Sequence, residues 1–576
     1  MLIYQMLPRL FGNDNERLTV NGSLQQNGCG HMNDITVKFL EQLRQLGVTH
    51  VWYTGLLEHA TQTDYSSYGI VHEHGAMVKG RAGSPYAVKD YYDIDPDLVV
   101  HPERRFKEFQ NLVRRTHRVG LKVIMDFVPN HVARQYHSDA CPEDVEDLGK
   151  KDNASVSFSP QNNFYYFPNQ ALQCQFDMQG GELRPYREYP AKATGNDCFT
   201  PFPAQQDWYE TVKLNYGVDY LSGGLKVFWP IPDTWHKMLR ILLFWASQGV
   251  DGFRCDMAEM VPCEFWSWAI RQVKAQYPQI IWIGEVYNPD QYRDYIHQGG
   301  FDFLYDKVGL YDTLRAIVMG QASASAITRC WQMVDDIKDR MLHFLENHDE
   351  QRIASDFFAS EGRRAFPALL VSACMGKQPF MLYFGQELGE RGMDAEGFSG
   401  LDGRTTIFDY WSMATIRKWR NKGRYDGARL DEESRQVYAY YKKVLGEVRQ
   451  ELAVREGLFF DLMYVNLDNP RFNPHRTYAF IRSFGDEKIF FVVNFEGAEV
   501  MQEVCVPAHA FDFLKMGEGE YQAVELLSGK STALPLFRDR CFQVVLPANG
   551  GVVLKVVQAG EKENGCTSDV MKTPNK

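Results

Sequence analysis

The stretch LKVIMDFVPNH, residues 121–131, reads as a short strand that is apolar almost throughout and closes on Asp126, Asn130 and His131. Strands without polar alternation are those covered on both faces, as in parallel sheets. A helical pattern lies just before it, with Pro102 at a first-turn position, Phe106, Phe109 and Val113 on one face, and Gly120 as the stop. The same order recurs. Phe39, Leu43 and Leu46 share a face behind a cap at Asn33 or Asp34 and stop at Gly47, before VTHVWYTG. A third copy runs from Thr234 through Met238, Leu242 and Trp245 to Gly249, before VDGFRCD, and a fourth ends at Gly376, before PFMLYFGQE. Adding LIYQML (2–7), IIWIGEV (280–286), FDFLYDK (301–307) and MLHFLEN (341–347) brings the strand count to eight, which predicts an α/β fold, a (β/α)8 TIM barrel.

Two segments break the alternation. Residues 131–206 are polar and aromatic, rich in Asn, Pro and Gly, and too long for a plain loop, so they read as an inserted domain after the third strand. After the helix at 431–454, the runs TYAFIRSF, GDE and KIFFVVNF read as a hairpin and place a C-terminal antiparallel β-sandwich at 457–558. The barrel then occupies 1–130 and 207–456, and a polar tail occupies 559–576.

Composition narrows the function. The 576 residues are 44% hydrophobic and 24% charged, and apolar runs such as 241–246 fall far short of a membrane span, which excludes both disorder and membrane insertion. The formal net charge of −12 is spread along the chain, so no basic patch recommends nucleic acid, and a neutral substrate is expected. Eleven cysteines scattered without a C-x-x-C pair predict neither a zinc framework nor a disulfide scaffold. The opening MLIYQMLPRLFG lacks a charged n-region and a small-residue cleavage site, so cytoplasmic residence is expected if Met1 is the native start.

Ionisable residues close several strands: Asp126 to His131, Asp256, Glu285 and Asp349. In a barrel these ends gather at one mouth, where barrel enzymes work. A lone carboxylate at a strand end is usually a helix cap or an ion-pair partner. Several on different units, with Arg254 and two Asn-His pairs beside them, point instead to chemistry. Two carboxylates across a cleft suit acetal cleavage, one protonating the leaving oxygen and the other attacking. Arg254 lies two positions before Asp256 on one strand, shares its face, and is expected to keep it ionised.

Taken together, DFVPNH, GFRCDMAEM, IGEVY and LENHD resemble, in order, the four signatures of the α-amylase family of retaining glycoside hydrolases (family 13). KLN at 213–215 resembles the signature of its neopullulanase-like and cyclodextrin-degrading members. The resemblance implies Asp256 as nucleophile, Glu285 as general acid/base and Asp349 as the carboxylate that grips the hydroxyls of the distorted sugar. It further implies Arg254 as the partner of the nucleophile, His131 and His348 as holders of the glucosyl unit at subsite −1, and Tyr86 as the platform beneath that ring. Asn130 falls where the family often binds structural calcium; no organic cofactor is implied. Glu259 and Met260 stand where many amylases have Lys-His, so the acceptor side must be built differently.

The expected substrate is an α-glucan or malto-oligosaccharide, cleaved at α-1,4 or α-1,6 bonds. A transglycosylase, isomerase or phosphorylase on the same scaffold is the first alternative. A catalytically inactive binding subunit would be expected to lack one of Asp256, Glu285 and Asp349, and all three are present. His72-Glu73-His74 has no third ligand in view and reads as polar contacts, and Phe164 to Tyr166 read as core ahead of sugar contact. Nothing in the sequence sets an oligomeric state.

Overall fold

Eight parallel strands close into a barrel in the computed structural model, which describes residues 1–557: β1 (Leu2–Met6), β2 (His50–Tyr53), β3 (Lys122–Phe127), β4 (Gly252–Cys255), β5 (Ile281–Gly284), β6 (Phe303–Tyr305), β7 (Met341–Phe344) and β8 (Phe380–Tyr383). All eight expected strands are present, each beside its neighbours in sequence. The tail read at 559–576 lies outside the described residues.

Side chains alternate across a strand, so one parity of each strand fills the barrel. Ile3, Trp52, Ile124, Ile283, Leu342 and Met381 pack together inside it. Two residues further along β3 and β5, the same parity delivers Asp126 and Glu285 to the mouth. Register pairs Arg254 with Asp126 on one side and Ile283 on the other. Gly252 occupies the level below Arg254 and must lack a side chain, because a Cβ there would lie 2.4 Å from Ile281 Cγ1.

Helices α1 (Val37–Gln45), α2 (Arg105–Arg118) and α3 (Asp233–Ser247) cover the barrel. Gly47, Gly120 and Gly249 follow them in left-handed backbone, with φ of 90°, 79° and 89°, a conformation that costs glycine nothing. The cap of α1 differs from expectation. Thr36 accepts from the Phe39 N–H at 3.3 Å, while Asp34 serves a separate turn by accepting from the His31 N–H at 2.7 Å. Helix α4 (Phe366–Cys374) ends before Gly376, which lies in the loop leading to β8.

The insert folds on short antiparallel pairs, His131–Ala133 with Thr211–Lys213 and Tyr166–Phe167 with Ala191–Lys192. Its closing strand lies past the expected boundary at 206, because a polar segment of this kind carries no periodicity to mark a two- or three-residue strand. Phe164, Tyr165 and Tyr166 are buried, and Tyr165 packs with Phe167, Leu172 and Ala191 on Ala76 and Met77 from the segment between β2 and α2.

Beyond the barrel, β9 (Leu458–Asp461), β10 (Thr477–Phe484), β11 (Glu487–Asn494), β12 (Val500–Val506), β13 (Gly519–Glu525), β14 (Ser531–Leu536), β15 (Arg540–Leu546) and β16 (Gly550–Val557) form two antiparallel layers. One has six strands in the order β9-β10-β11-β16-β13-β14; the other is the pair β12-β15. The expected hairpin is β10-β11, with Phe484 opposite Glu487, Gly485 at φ 53° in the turn, and Phe480 stacked on Phe491 at 4.6 Å. Phe490 meets Phe542 of the second layer at 5.9 Å. One disulfide forms against expectation, joining Cys505 on β12 to Cys541 directly opposite on β15. Strand pairing brings together two cysteines 36 residues apart, a separation with no spacing signal.

Candidate active site

A cleft of about 400 Å³ opens at the carboxyl ends of the strands, and Tyr86, His131, Asp256, Glu285, His348 and Asp349 all line it. Arg254 lies beneath them, fully buried. Its guanidinium donates from Nη1 to Asp256 Oδ1 at 2.7 Å, contacts Glu285 Oε2 from Nη2 at 2.8 Å, and reaches Asp126 Oδ1 at 3.5 Å. The rings of Trp52, Tyr86 and Tyr305 enclose it at 5.1, 5.4 and 5.6 Å. A planar fork with five donors suits this sharing; an ammonium would not.

The charge count decides the electrostatics. Four carboxyls (Asp126, Asp256, Glu285 and Asp349) gather here, and three of them contact one guanidinium. Burial pushes Asp256 well above the usual carboxylate range; Arg254 opposes the shift and Glu285 adds to it. The expected pairing of Arg254 with Asp256 is present and favours the ionised form, although the arginine is divided among three acids. Burial likewise raises Asp126 to about 6, against Arg254 and the Trp52 N–H that Oδ2 accepts at 2.9 Å. Burial and then Glu285 raise Asp349 to about 7, although 45% of its side chain opens onto the cleft.

Glu285 is held from three sides. Besides Arg254, its Oε2 accepts from the Met257 N–H at 2.8 Å and its Oε1 from the Tyr287 hydroxyl at 2.6 Å. Met257, directly after Asp256, takes left-handed backbone with φ 41°, an unfavourable conformation for a side chain of its kind and one that aims its N–H at Glu285. Glu259, where many amylases have lysine, accepts from the N–H groups of Tyr287 and Asn288, both at 2.9 Å. It thus fixes the loop that carries Tyr287 into the cleft.

Both histidines are neutral. Burial lowers His131 to about 3 and His348 well below its ordinary value. His348 Nδ1 lies 2.8 Å from Gln5 Nε2, and its Nε2 lies 3.1 Å from Asp349 Oδ2. The Tyr86 ring stacks on that of His348 at 5.0 Å, while its hydroxyl has no partner among the described residues. His131 stands 3.1 Å from the Asn130 amide nitrogen, beside the ring of Trp208 from the insert at 5.2 Å.

Asn130 faces away from the cleft. Its Oδ1 accepts from Lys213 Nζ, its Nδ2 donates to Gly195 O at 2.8 Å, and the oxygen expected to meet calcium thus meets an ammonium. Burial lowers Lys213 from the usual lysine value, and Asp197 opposes that shift.

Two residues of the site, Tyr287 and Trp208, were not anticipated, and a third, Glu259, was expected on the acceptor side without a stated contact. Tyr287 ends the IGEVY run, so adjacency to Glu285 was its available signal. Glu259 was visible only as a departure from a pattern. Trp208 comes from a segment without periodicity and gave none.

The family model of the α-amylase catalytic domain matches residues 5–436. α-Amylase 3 of Dictyoglomus thermophilum is 24% identical over 437 residues, covering 72% of this chain and 74% of its own. Neopullulanase 2 of Thermoactinomyces vulgaris is 20% identical over 521 residues, covering 88% and 71%. The solved structure of a maltogenic α-amylase from Thermotoga neapolitana has the same fold, with a TM-score of 0.61 at 20% identity over 97% of this chain and 98% of that one. The family match runs from β1 through the insert and past β8, and on that match the chain belongs to the α-amylase family.

Proposed function

We propose that the protein hydrolyses α-1,4-glucosidic bonds of starch-derived glucans or malto-oligosaccharides with retention of configuration, through a glycosyl-enzyme on Asp256. The observation that carries this reading is one guanidinium in contact with Asp256 and Glu285 together, at the floor of a cleft. The reaction needs Asp256 ionised, which Arg254 favours, and a proton on Glu285. Glu285 gives it to the glycosidic oxygen as the Asp256 carboxylate bonds C1, which releases the acceptor-side sugar. Water then returns a proton to Glu285, and its oxygen displaces Asp256 from C1. Asp349 and neutral His131 and His348 bind the hydroxyls of the glucosyl unit, and Tyr86 carries its face.

Time-resolved proton NMR of the protein with maltoheptaose, without and then with phosphate, tests the reading. Shorter α-anomers appearing first support it. First products with inverted configuration exclude the double displacement. Longer oligosaccharides, trehalose signals or a sugar phosphate make the protein a transferase, isomerase or phosphorylase.

Short oligosaccharides are preferred to granular starch, which rates on maltotetraose and insoluble starch compare. Cytoplasmic residence competes with the Cys505–Cys541 bond, a chemistry more usual in oxidising compartments. Acid-quenched thiol counting in cells that make the protein decides, since a bonded pair there overturns the cytoplasmic placement. Among the described residues no helix is long and apolar enough to cross a membrane.

A further inference from the structure

We infer that Lys213 supplies, from within the chain, the positive charge that the Asn130 site was expected to take from calcium, and that the protein needs no metal there. Lys213 lies on the closing strand of the insert with its side chain 2% exposed. Its Nζ meets three oxygens: Asn130 Oδ1 at the end of β3, the Met260 carbonyl after β4 at 3.3 Å, and Asp197 Oδ1 of the insert at 2.6 Å. An ammonium has three N–H donors and no acceptor, so three oxygens satisfy it. The ring of Tyr220 closes a further side at 5.5 Å.

Calcium does not fit this arrangement. It takes six to eight oxygens at roughly 2.3–2.6 Å, and the space those oxygens surround is filled by Nζ. Lys213 and Asp197 cancel in charge, which leaves no anionic excess to draw a divalent ion. The amide nitrogen of Asn130 is committed to Gly195 and His131, so the side chain has no spare orientation. Among the described residues no group of three or more His, Cys, Asp or Glu side chains gathers to hold a metal ion.

The contact is also a clamp beside the cleft. Asn130 precedes His131, Met260 ends the loop that begins at Asp256, and Asp197 belongs to the insert, so one side chain ties all three. A bound ion can be stripped by a chelator; a lysine cannot.

The test uses the full chain and does not depend on the substrate assignment. Elemental analysis of the purified protein is expected to find no stoichiometric calcium, and Tm is expected to be the same in millimolar EDTA and millimolar CaCl2. About one calcium per chain, lost to EDTA with a fall in Tm, overturns the inference. Lys213→Met keeps the stem and removes the charge, and is expected to lower Tm by ~5 °C or more, with Asp197→Asn lowering it less. A Lys213→Met variant that melts with the wild type overturns the inference as well. Should Lys213→Met fail to fold, the wild-type calcium measurements and Asp197→Asn carry the test.

Discussion

Two buried cations sit at the ends of β3 and β4, and they are built on opposite terms. Lys213 has three oxygens for three N–H groups and one neighbouring carboxylate to balance its charge. Arg254 stands among four carboxyls and contacts three of them. The first arrangement is closed: every charge is matched, so it holds the insert to the barrel. The second carries an excess of acid in a cleft, the arrangement on which the proposed reaction rests. Balance marks the clamp, and imbalance marks the chemistry.

The largest expected effect separates the two directly. Asp256→Asn and Glu285→Gln are each expected to lower kcat by ~10³-fold or more, whereas Asp197→Asn lowers Tm and leaves kcat within ~10-fold. Near-wild-type turnover in either of the first two would remove the catalytic assignment.

The sign of the stability change sharpens the contrast. Asp256 is pushed up by burial, so its ionised form disfavours the folded state at neutral pH. Asp256→Asn should therefore raise stability at pH 7 by ~1 kcal/mol, measured by urea denaturation. Asp197→Asn, which breaks a matched pair, should lower it. A fall in both variants would mean that the Arg254 cluster is as closed as the Lys213 node.

A smaller effect is expected at Tyr287, whose hydroxyl holds one oxygen of Glu285. Tyr287→Phe should lower kcat by ~10-fold while changing stability by no more than ~1.5 kcal/mol. Loss through KM alone would assign Tyr287 to sugar contact only.

The smallest is a pH effect. Asp126 and Asp349 are raised to about 6 and about 7, so their protonated forms favour folding. That contribution is complete below the usual carboxylate range and is lost as pH rises through about 6 and about 7. Asp349→Asn should flatten the dependence of Tm on pH over this window, by under ~1 kcal/mol because cleft water screens its half-open side chain. An unchanged slope would place the titration elsewhere.

Much of this architecture was readable beforehand. The eight strands were visible because each carries its own apolar run and three follow a glycine stop, signals contained within about twenty residues. Asp256 and Glu285 were readable as mouth residues because strand parity places them. What escaped had no local signature. The cap at Thr36 lost to a neighbouring Asp34 of equal propensity, the insert closed on a three-residue strand, and the disulfide joined strands whose pairing only the folded sheet creates.

The sequence by itself determined which residues reach the mouth, since alternation along a strand is covalent geometry and survives any tertiary arrangement. Tertiary structure alone decided what each charge meets there. Whether Arg254 serves one acid or three, and whether Asn130 faces an ion or Lys213, depends on barrel closure and on how the insert folds back across it. Those contacts join residues 83 and 128 positions apart, and at such separations an interaction that falls off within a few ångströms is fixed by packing.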